Sequence, residues 1–209
     1  MRRLILLALP AVLFVPSAGA QVIEFDSGGL RYQTLTKGGM TIMYAPLPSH
    51  IREYTILQVA VSNGSPIAWS VRPEDFTFER PDGTLIQSMA ARTVIIGFME
   101  KASRGDVIKL VSTYETNLYG ISHFKSTNGY EERRQNALAE VSSRKIKAAA
   151  AASAIAFVQT KLAPGQSTDG AIFYDTAGKP MGPGKLVVHA AGEVFEFQSD
   201  AEPRPLMTR

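Results

Sequence analysis

The sequence predicts a mainly β protein, an antiparallel β-sandwich that carries a helical insertion and follows an export signal. Short apolar-rich segments separated by turn residues fill two stretches of the chain, about 30–86 and 170–198. Between them, over about 88–157, the apolar residues follow a helical period instead. The first twenty residues have a positive end, an apolar run and a small-residue site, in the order typical of cleavable signal peptides.

The N-terminal segment, residues 1–20, is predicted to be removed during export. Arg2 and Arg3 supply positive charge, an apolar run follows, and Ala18-Gly19-Ala20 has the A-x-A cleavage pattern. The run is too short to span a bilayer, and no later run reaches that length. We therefore expect a periplasmic or secreted protein, with one domain over residues 21–200 and a flexible tail over 201–209.

The first β segment contains six candidate strands. They cover about 30–36, 40–44, 54–61, 67–71, 75–79 and 84–86, and turn residues rich in glycine and proline separate them. The segment from Tyr54 to Val61 is the strongest candidate, because it is dense in apolar and β-branched residues. Phe76 and Phe78 alternate with polar residues, which predicts a strand with one exposed face.

Three helices are predicted in the insertion, so the fold class is α+β overall. The first centres on Ile95 and Phe98, the second runs over about 107–118, and the third starts near Glu131 and includes an alanine-rich run. Strands then return at about 170–175, 185–189 and 193–198, and the last two are predicted to form a hairpin around Ala191-Gly192.

Composition excludes several classes of chemistry. The chain has no cysteine, which rules out disulfides, thiolate nucleophiles and thiolate metal sites. The signal segment holds two of the 22 basic residues and none of the 19 acidic ones, so the rest has 20 against 19, a net charge of +1. A balance so near zero gives no reason to expect nucleic acid as a partner. Residues 88–161 hold 11 basic and 6 acidic residues, which makes another envelope protein or an anionic surface the candidate partner.

No catalytic, metal-binding or cofactor-binding motif is present. The three histidines, His50, His123 and His189, do not have metal-ligand spacing, and the G-x-S-x-G, P-loop and G-x-G-x-x-G patterns are missing. Met40 and Met43 form a sparse Met-x-x-Met pattern, but no histidine or cysteine stands beside them to complete a copper site. We therefore expect no cofactor and no enzymatic activity.

Three segments resemble bacterial secreted Ig-like sandwich proteins of the telokin-like, immunoprotective-extracellular type. The segments are Val59-Ala-Val-Ser-Asn-Gly-Ser-Pro66, Arg72-Pro-Glu-Asp-Phe-Thr-Phe-Glu-Arg-Pro-Asp-Gly83 and Leu162-Ala-Pro-Gly-Gln-Ser-Thr-Asp-Gly-Ala-Ile-Phe-Tyr-Asp175. The resemblance covers about half of the chain after the signal and implies an Ig-like antiparallel β-sandwich, to which the helical period adds a three-helix insertion. It supplies no catalytic residues, and the helical block departs from the compact family pattern.

The preferred interpretation is an exported, non-catalytic envelope or extracellular binding module. The sandwich would be the scaffold and the helical insertion the specific surface, since long insertions in stable scaffolds are often functional. Its densest basic cluster, Arg144, Lys145 and Lys147, is the candidate interaction surface. One alternative is a small secreted hydrolase whose site, including His123, assembles from distant residues. Another is a structural subunit of an envelope assembly, which a large exposed apolar patch would favour.

Overall fold

The computed structural model describes residues 20–48, 50–101, 105–106 and 144–199. This part of the chain is mainly β, with eleven strands in antiparallel sheets and two α-helices. The helices are α1 (Ala91–Lys101) and α2 (Arg144–Ile155). The strands are β1 (Ile23–Ser27), β2 (Leu30–Lys37), β3 (Met40–Pro46), β4 (Tyr54–Asn63), β5 (Trp69–Val71), β6 (Phe76–Glu79), β7 (Leu85–Gln87), β8 (Thr160–Leu162), β9 (Ser167–Asp175), β10 (Gly184–Ala190) and β11 (Glu193–Ser199).

The strands form two layers that face each other. The large sheet has the order β1-β2-β3-β4-β9, and the small sheet has the order β11-β10-β6-β7. Strands β5 and β8 pair separately as a short ribbon. The chain crosses between the layers three times, from β4 to β6, from β7 to β9 and from β9 to β10. These crossings make β4 and β9 neighbours in one layer and β6 and β10 neighbours in the other.

Strand β4 lies within the large sheet and is buried on both faces. Leu57, Val59 and Val61 point towards the small sheet, whereas Tyr54 and Ile56 point towards the helices. Successive side chains of a strand face opposite sides, so two apolar faces require an almost continuous apolar run. That requirement explains why this segment is the strongest strand candidate in the sequence.

Aromatic rings fill the space between the two sheets. The Tyr44 and Phe197 rings meet edge to face at 5.1 Å, and Phe76 meets Phe157 in the same manner at 5.6 Å. Such pairs add roughly 0.5–1.5 kcal/mol beyond the burial of their area. The hydroxyl of Tyr174 donates to the carbonyl oxygen of Phe76 at 3.4 Å, and burial raises the pKa of that hydroxyl.

The helices form a third layer on the other face of the large sheet. Phe98 of α1 contacts Tyr54 and Phe173, with ring centroids 5.9 and 6.4 Å away, and Ala152 and Ile155 of α2 belong to the same buried cluster. Small alanine side chains let α2 lie close to its neighbours. Within the described ranges, no helix has the length and apolar character needed to cross a membrane.

Side chains of the large sheet cover one edge of the small sheet. Lys37 Nζ donates to the carbonyl oxygen of Val194, and Gln33 Nε2 donates to that of Gln198 at 2.8 Å. Strand β11 is an edge strand, and unpaired edge carbonyl groups are open to pairing with another strand. The two contacts therefore protect this edge and hold the layers together at one corner of the sandwich.

The structure confirms a mainly β chain with antiparallel sheets and all nine predicted strands, with shifts at their ends. Strands β1 and β8 were not predicted, because β1 is largely exposed and β8 has only three residues. The first predicted helix is present over Ala91–Lys101. Of the third predicted helix, the structure describes the segment Arg144–Ile155. The second predicted helix lies outside the described residues, and so do residues 1–19 and the tail over 201–209.

Candidate functional site

Four connections converge at one end of the sandwich, which we call the loop end. They are the turn at Gly38-Gly39, the loop 64–68, the loop 163–166 and the turn at Ala191-Gly192. The amide of Gly64 donates to the Gly39 carbonyl at 2.8 Å, and the amide of Gly165 donates to the Asn63 carbonyl at 2.6 Å. These backbone contacts bind neighbouring loops directly to each other, so the loop end is ordered.

Asn63, the last residue of β4, holds the loop end together. Its side chain is fully buried, and Nδ2 donates to the carbonyl oxygens of Ile67 at 2.8 Å and Leu162 at 3.0 Å. Its Oδ1 accepts from the Ser65 amide at 3.0 Å and lies 2.7 Å from Ser65 Oγ. A buried amide with both of its groups hydrogen-bonded favours one conformation of the surrounding loops.

Trp69, the only tryptophan in the chain, is anchored to this network. Its Nε1 donates to Ser65 Oγ at 3.1 Å, and the half-buried ring packs against the core between the sheets. Across the short ribbon, Trp69 is paired with Leu162. Because the indole N–H is already bonded within the protein, the exposed part of the ring presents an apolar surface.

An open cleft of about 460 Å³ lies beside Trp69. One wall comes from β5 and the segment that leads to β6, and the other comes from the β10–β11 hairpin. Its volume is within the range of roughly 300–1,000 Å³ found for small-molecule sites. Besides Trp69, the polar and charged residues that line it are Ser70, Arg72, Asp75, Gln159, His189 and Glu193.

Arg72 is held in place by Asp75. The Arg72 Nε donates to Asp75 Oδ1 and the Arg72 amide donates to Oδ2, both at 3.0 Å. The hydrogen bond to Asp75 and the charge of its carboxylate raise the pKa of Arg72, which therefore stays charged. The arginine side chain is 59% exposed and that of Asp75 only 12%, so the two Nη groups of the guanidinium remain available to a ligand.

The β10–β11 hairpin turns through Ala191 and Gly192, with φ angles of 55° and 75°. Two positive φ values in a two-residue turn are typical of a type I′ hairpin, in which asparagine followed by glycine is preferred. An alanine in the left-handed region costs about 1–2 kcal/mol, because its Cβ crowds the following carbonyl. Ala191 thus places strain in the wall of the cleft.

We expect the substitution Ala191→Asn to stabilise the protein by about 0.5–1 kcal/mol. Asparagine tolerates the left-handed region and completes the preferred Asn-Gly turn, without the added chain entropy of glycine. Urea denaturation of both proteins measures the change. The matched control Ala190→Asn is expected to destabilise, because Ala190 is buried on the neighbouring strand. An unchanged or lower free energy of unfolding for Ala191→Asn would contradict the strain assigned to this turn.

The cleft does not include the interaction surface predicted from the sequence. Arg144, Lys145 and Lys147 begin α2, but their side chains lie outside the described part of the chain, so that surface stays a prediction. His123 also lies outside it. His189 lines the cleft, whereas His50 is exposed elsewhere.

Two further expectations concern metal sites. Among the described residues, no three histidine, aspartate or glutamate side chains are close enough to hold a metal ion. Met40 is buried between the two sheets, whereas Met43 packs on the helical side. Because the two thioethers face opposite sides of β3, they cannot share a copper ion.

The cleft could hardly be predicted from the sequence, because Trp69 and Arg72 lie far from His189 and Glu193 along the chain. The turn residues around Asn63 and Ala191 were the available signal. No family model, curated protein or solved structure matches this chain. Its function is therefore inferred from the residues and their geometry.

Proposed function

We propose that this protein is an exported, non-catalytic binding module, and that the cleft beside Trp69 is its ligand site. The observation that carries the proposal is an open cleft whose aromatic wall and arginine are both fixed by hydrogen bonds within the protein. Groups fixed before binding lower the entropy cost of holding a ligand.

We further propose that the sandwich is Ig-like. In Ig domains, strands A, B and E lie in one sheet and strands C, F and G in the other. Here β3, β4 and β9 follow one another in the large sheet, and β6, β10 and β11 are neighbours in the small sheet. If β3, β4 and β9 correspond to strands A, B and E, and β6, β10 and β11 to strands C, F and G, the cleft lies between the B–C and F–G connections. In antibody variable domains these connections carry the binding loops.

Two other parts of the proposal come from sequence. The export signal predicts that the mature chain begins near Gln21, two residues before β1. The insertion between β7 and β8 is proposed to hold a third helix between α1 and α2, over about 107–118. Arg144, Lys145 and Lys147 remain a second candidate surface, for a macromolecular partner with acidic groups.

We expect a ligand of the cleft to change the fluorescence of Trp69, whose emission reports on this site alone because the chain has no other tryptophan. The mature protein is titrated with pure neutral sugars, amino acids, nucleotides and dipeptides. One class should give a saturable change that Arg72→Ala weakens. Arg31→Ala is the matched control, since Arg31 is also an exposed arginine paired with an aspartate, Asp26, and does not line the cleft.

Mass spectrometry of each compound after incubation separates binding from catalysis. Unchanged ligand supports a binding module, whereas steady conversion to a product contradicts it and favours the secreted-hydrolase alternative. A complete lack of saturable binding contradicts the cleft as a ligand site and favours the structural-subunit alternative.

A further inference from the structure

We infer that the cleft beside Trp69 binds a neutral saccharide unit. This inference rests on the proposed binding function and adds the chemical class of the ligand. A sugar ring has one or two faces of C–H groups and a rim of hydroxyl groups. It therefore fits a site that offers one flat apolar wall together with several hydrogen-bonding side chains.

Trp69 supplies the apolar wall. Its indole nitrogen already donates to Ser65 Oγ, so the part of the ring exposed to the cleft has no polar atom in need of a partner. Aromatic rings carry a negative face and attract the weakly positive hydrogens of C–H groups. Because the ring is anchored through Ser65 to the Asn63 network, it is in position before a ligand arrives.

The polar groups match hydroxyls rather than a single charge. Arg72 offers its Nη donors, Glu193 offers acceptors, and Gln159 and His189 can each donate and accept. A hydroxyl group also donates one hydrogen bond and accepts others, so a ring with several hydroxyls can satisfy such a mixed set. A wholly apolar ligand would leave these groups without water or partner, which is costly.

The charges of the cleft nearly cancel. Arg72 is paired with Asp75, so Glu193 is the one lining carboxylate outside that ion pair. An anionic ligand would meet Glu193, and a cationic one would meet Arg72, so neither gains much from long-range attraction. Neutral ligands lose nothing by this balance, which therefore favours an uncharged saccharide.

Saturation-transfer NMR with the mature protein tests the inference. The neutral probes are maltotriose, cellotriose and triacetylchitotriose, the anionic probe is trigalacturonic acid, and the peptide probe is trialanine. We expect transfer to at least one neutral trisaccharide, strongest at the ring C–H protons that lie on the indole. Glu193→Gln should weaken that binding about tenfold, the effect of losing one hydrogen bond to a charged group.

Glu196→Gln is the matched control, because Glu196 lies exposed on the same strand and does not line the cleft. It should bind as the wild type does. Trp69→Phe should also weaken binding about tenfold, since the smaller ring offers less surface and loses its bond to Ser65. Thermal melting shows whether the Trp69→Phe variant is folded. Glu193→Gln changes an exposed residue, so it tests the inference even if Trp69→Phe does not fold.

Two outcomes overturn the saccharide assignment. The first is no transfer to any neutral trisaccharide, and the second is equal affinity for wild type and Glu193→Gln. A third outcome is that only trigalacturonic acid or trialanine binds and that Glu193→Gln alters this binding. In that case the saccharide class is wrong, but the proposal of a binding module stands. If no compound binds here or in the Trp69 titrations, both the class and the proposed function fail.

Discussion

Asn63→Asp is expected to lower the free energy of unfolding by about 3 kcal/mol at neutral pH, although the two side chains have nearly the same shape. Asparagine Nδ2 donates to the carbonyl oxygens of Ile67 and Leu162. A carboxylate would place an oxygen against those two oxygens, in a site with no exposure to water. The loss would be a large fraction of the 5–15 kcal/mol typical of a domain.

The same variant should depend on pH in a defined direction. Burial and the facing carbonyl oxygens raise the pKa of the introduced carboxyl above its value of about 3.9 in the unfolded chain. The folded state therefore holds the proton more tightly than the unfolded state does. The deficit should be smallest at or below about pH 4 and should grow as the pH rises to the folded pKa.

Urea denaturation at pH 4 and pH 7 measures both effects. Gln87→Glu is the control, because it makes the same amide-to-carboxyl change at an exposed residue that accepts a hydrogen bond from Thr77. It should change stability by no more than about 0.5 kcal/mol. If Asn63→Asp unfolds like the wild type at pH 7, the Asn63 network does not hold the loop end together.

Gly170→Ala is expected to cost about 3 kcal/mol, because a Cβ at this position has no room. It would lie 2.6 Å from Cα and 2.7 Å from N of Phe157. Those are backbone atoms of the segment that leaves α2 and runs alongside β9, where the Phe157 amide donates to the Ala171 carbonyl at 2.9 Å. Relief of the clash would require this segment to move away from the large sheet.

Gly97→Ala is the matched control, and the opposite sign is expected. A Cβ on Gly97 meets only the hydroxyl of Tyr54, at 3.0 Å, which is the end of a side chain and not backbone. Alanine is also favoured over glycine within a helix by about 1 kcal/mol. Thermal unfolding should therefore show a lower midpoint for Gly170→Ala and an equal or higher one for Gly97→Ala. Similar shifts in both variants would contradict the close approach at Gly170.

The sequence predicted elements well where one local rule decides the outcome. Alternation of Phe76 and Phe78 with polar residues predicted β6, and the Ala191-Gly192 pair predicted the hairpin between β10 and β11. The apolar run from Tyr54 predicted β4. In each case the neighbours along the chain carry the signal, because strand periodicity and turn conformation depend on a few adjacent residues.

The prediction was incomplete where distant residues provide the partners. Strand β9 begins at Ser167, before its apolar portion, because this polar start is hydrogen-bonded to β4. Asn63 belongs to a turn-rich segment, yet it is the buried end of β4. Its environment is supplied by Leu162, about half the chain away, which no local pattern reveals.

The cleft is a product of the tertiary fold. Trp69 and Arg72 are brought to His189 and Glu193 because the chain crosses between the sheets and β6 pairs with β10. Residue composition and local spacing determined the strands, the turns and the absence of thiol chemistry. The choice of neighbouring strands, and with it the loops that meet at one end, was decided by long-range pairing and by the burial of both faces of the large sheet.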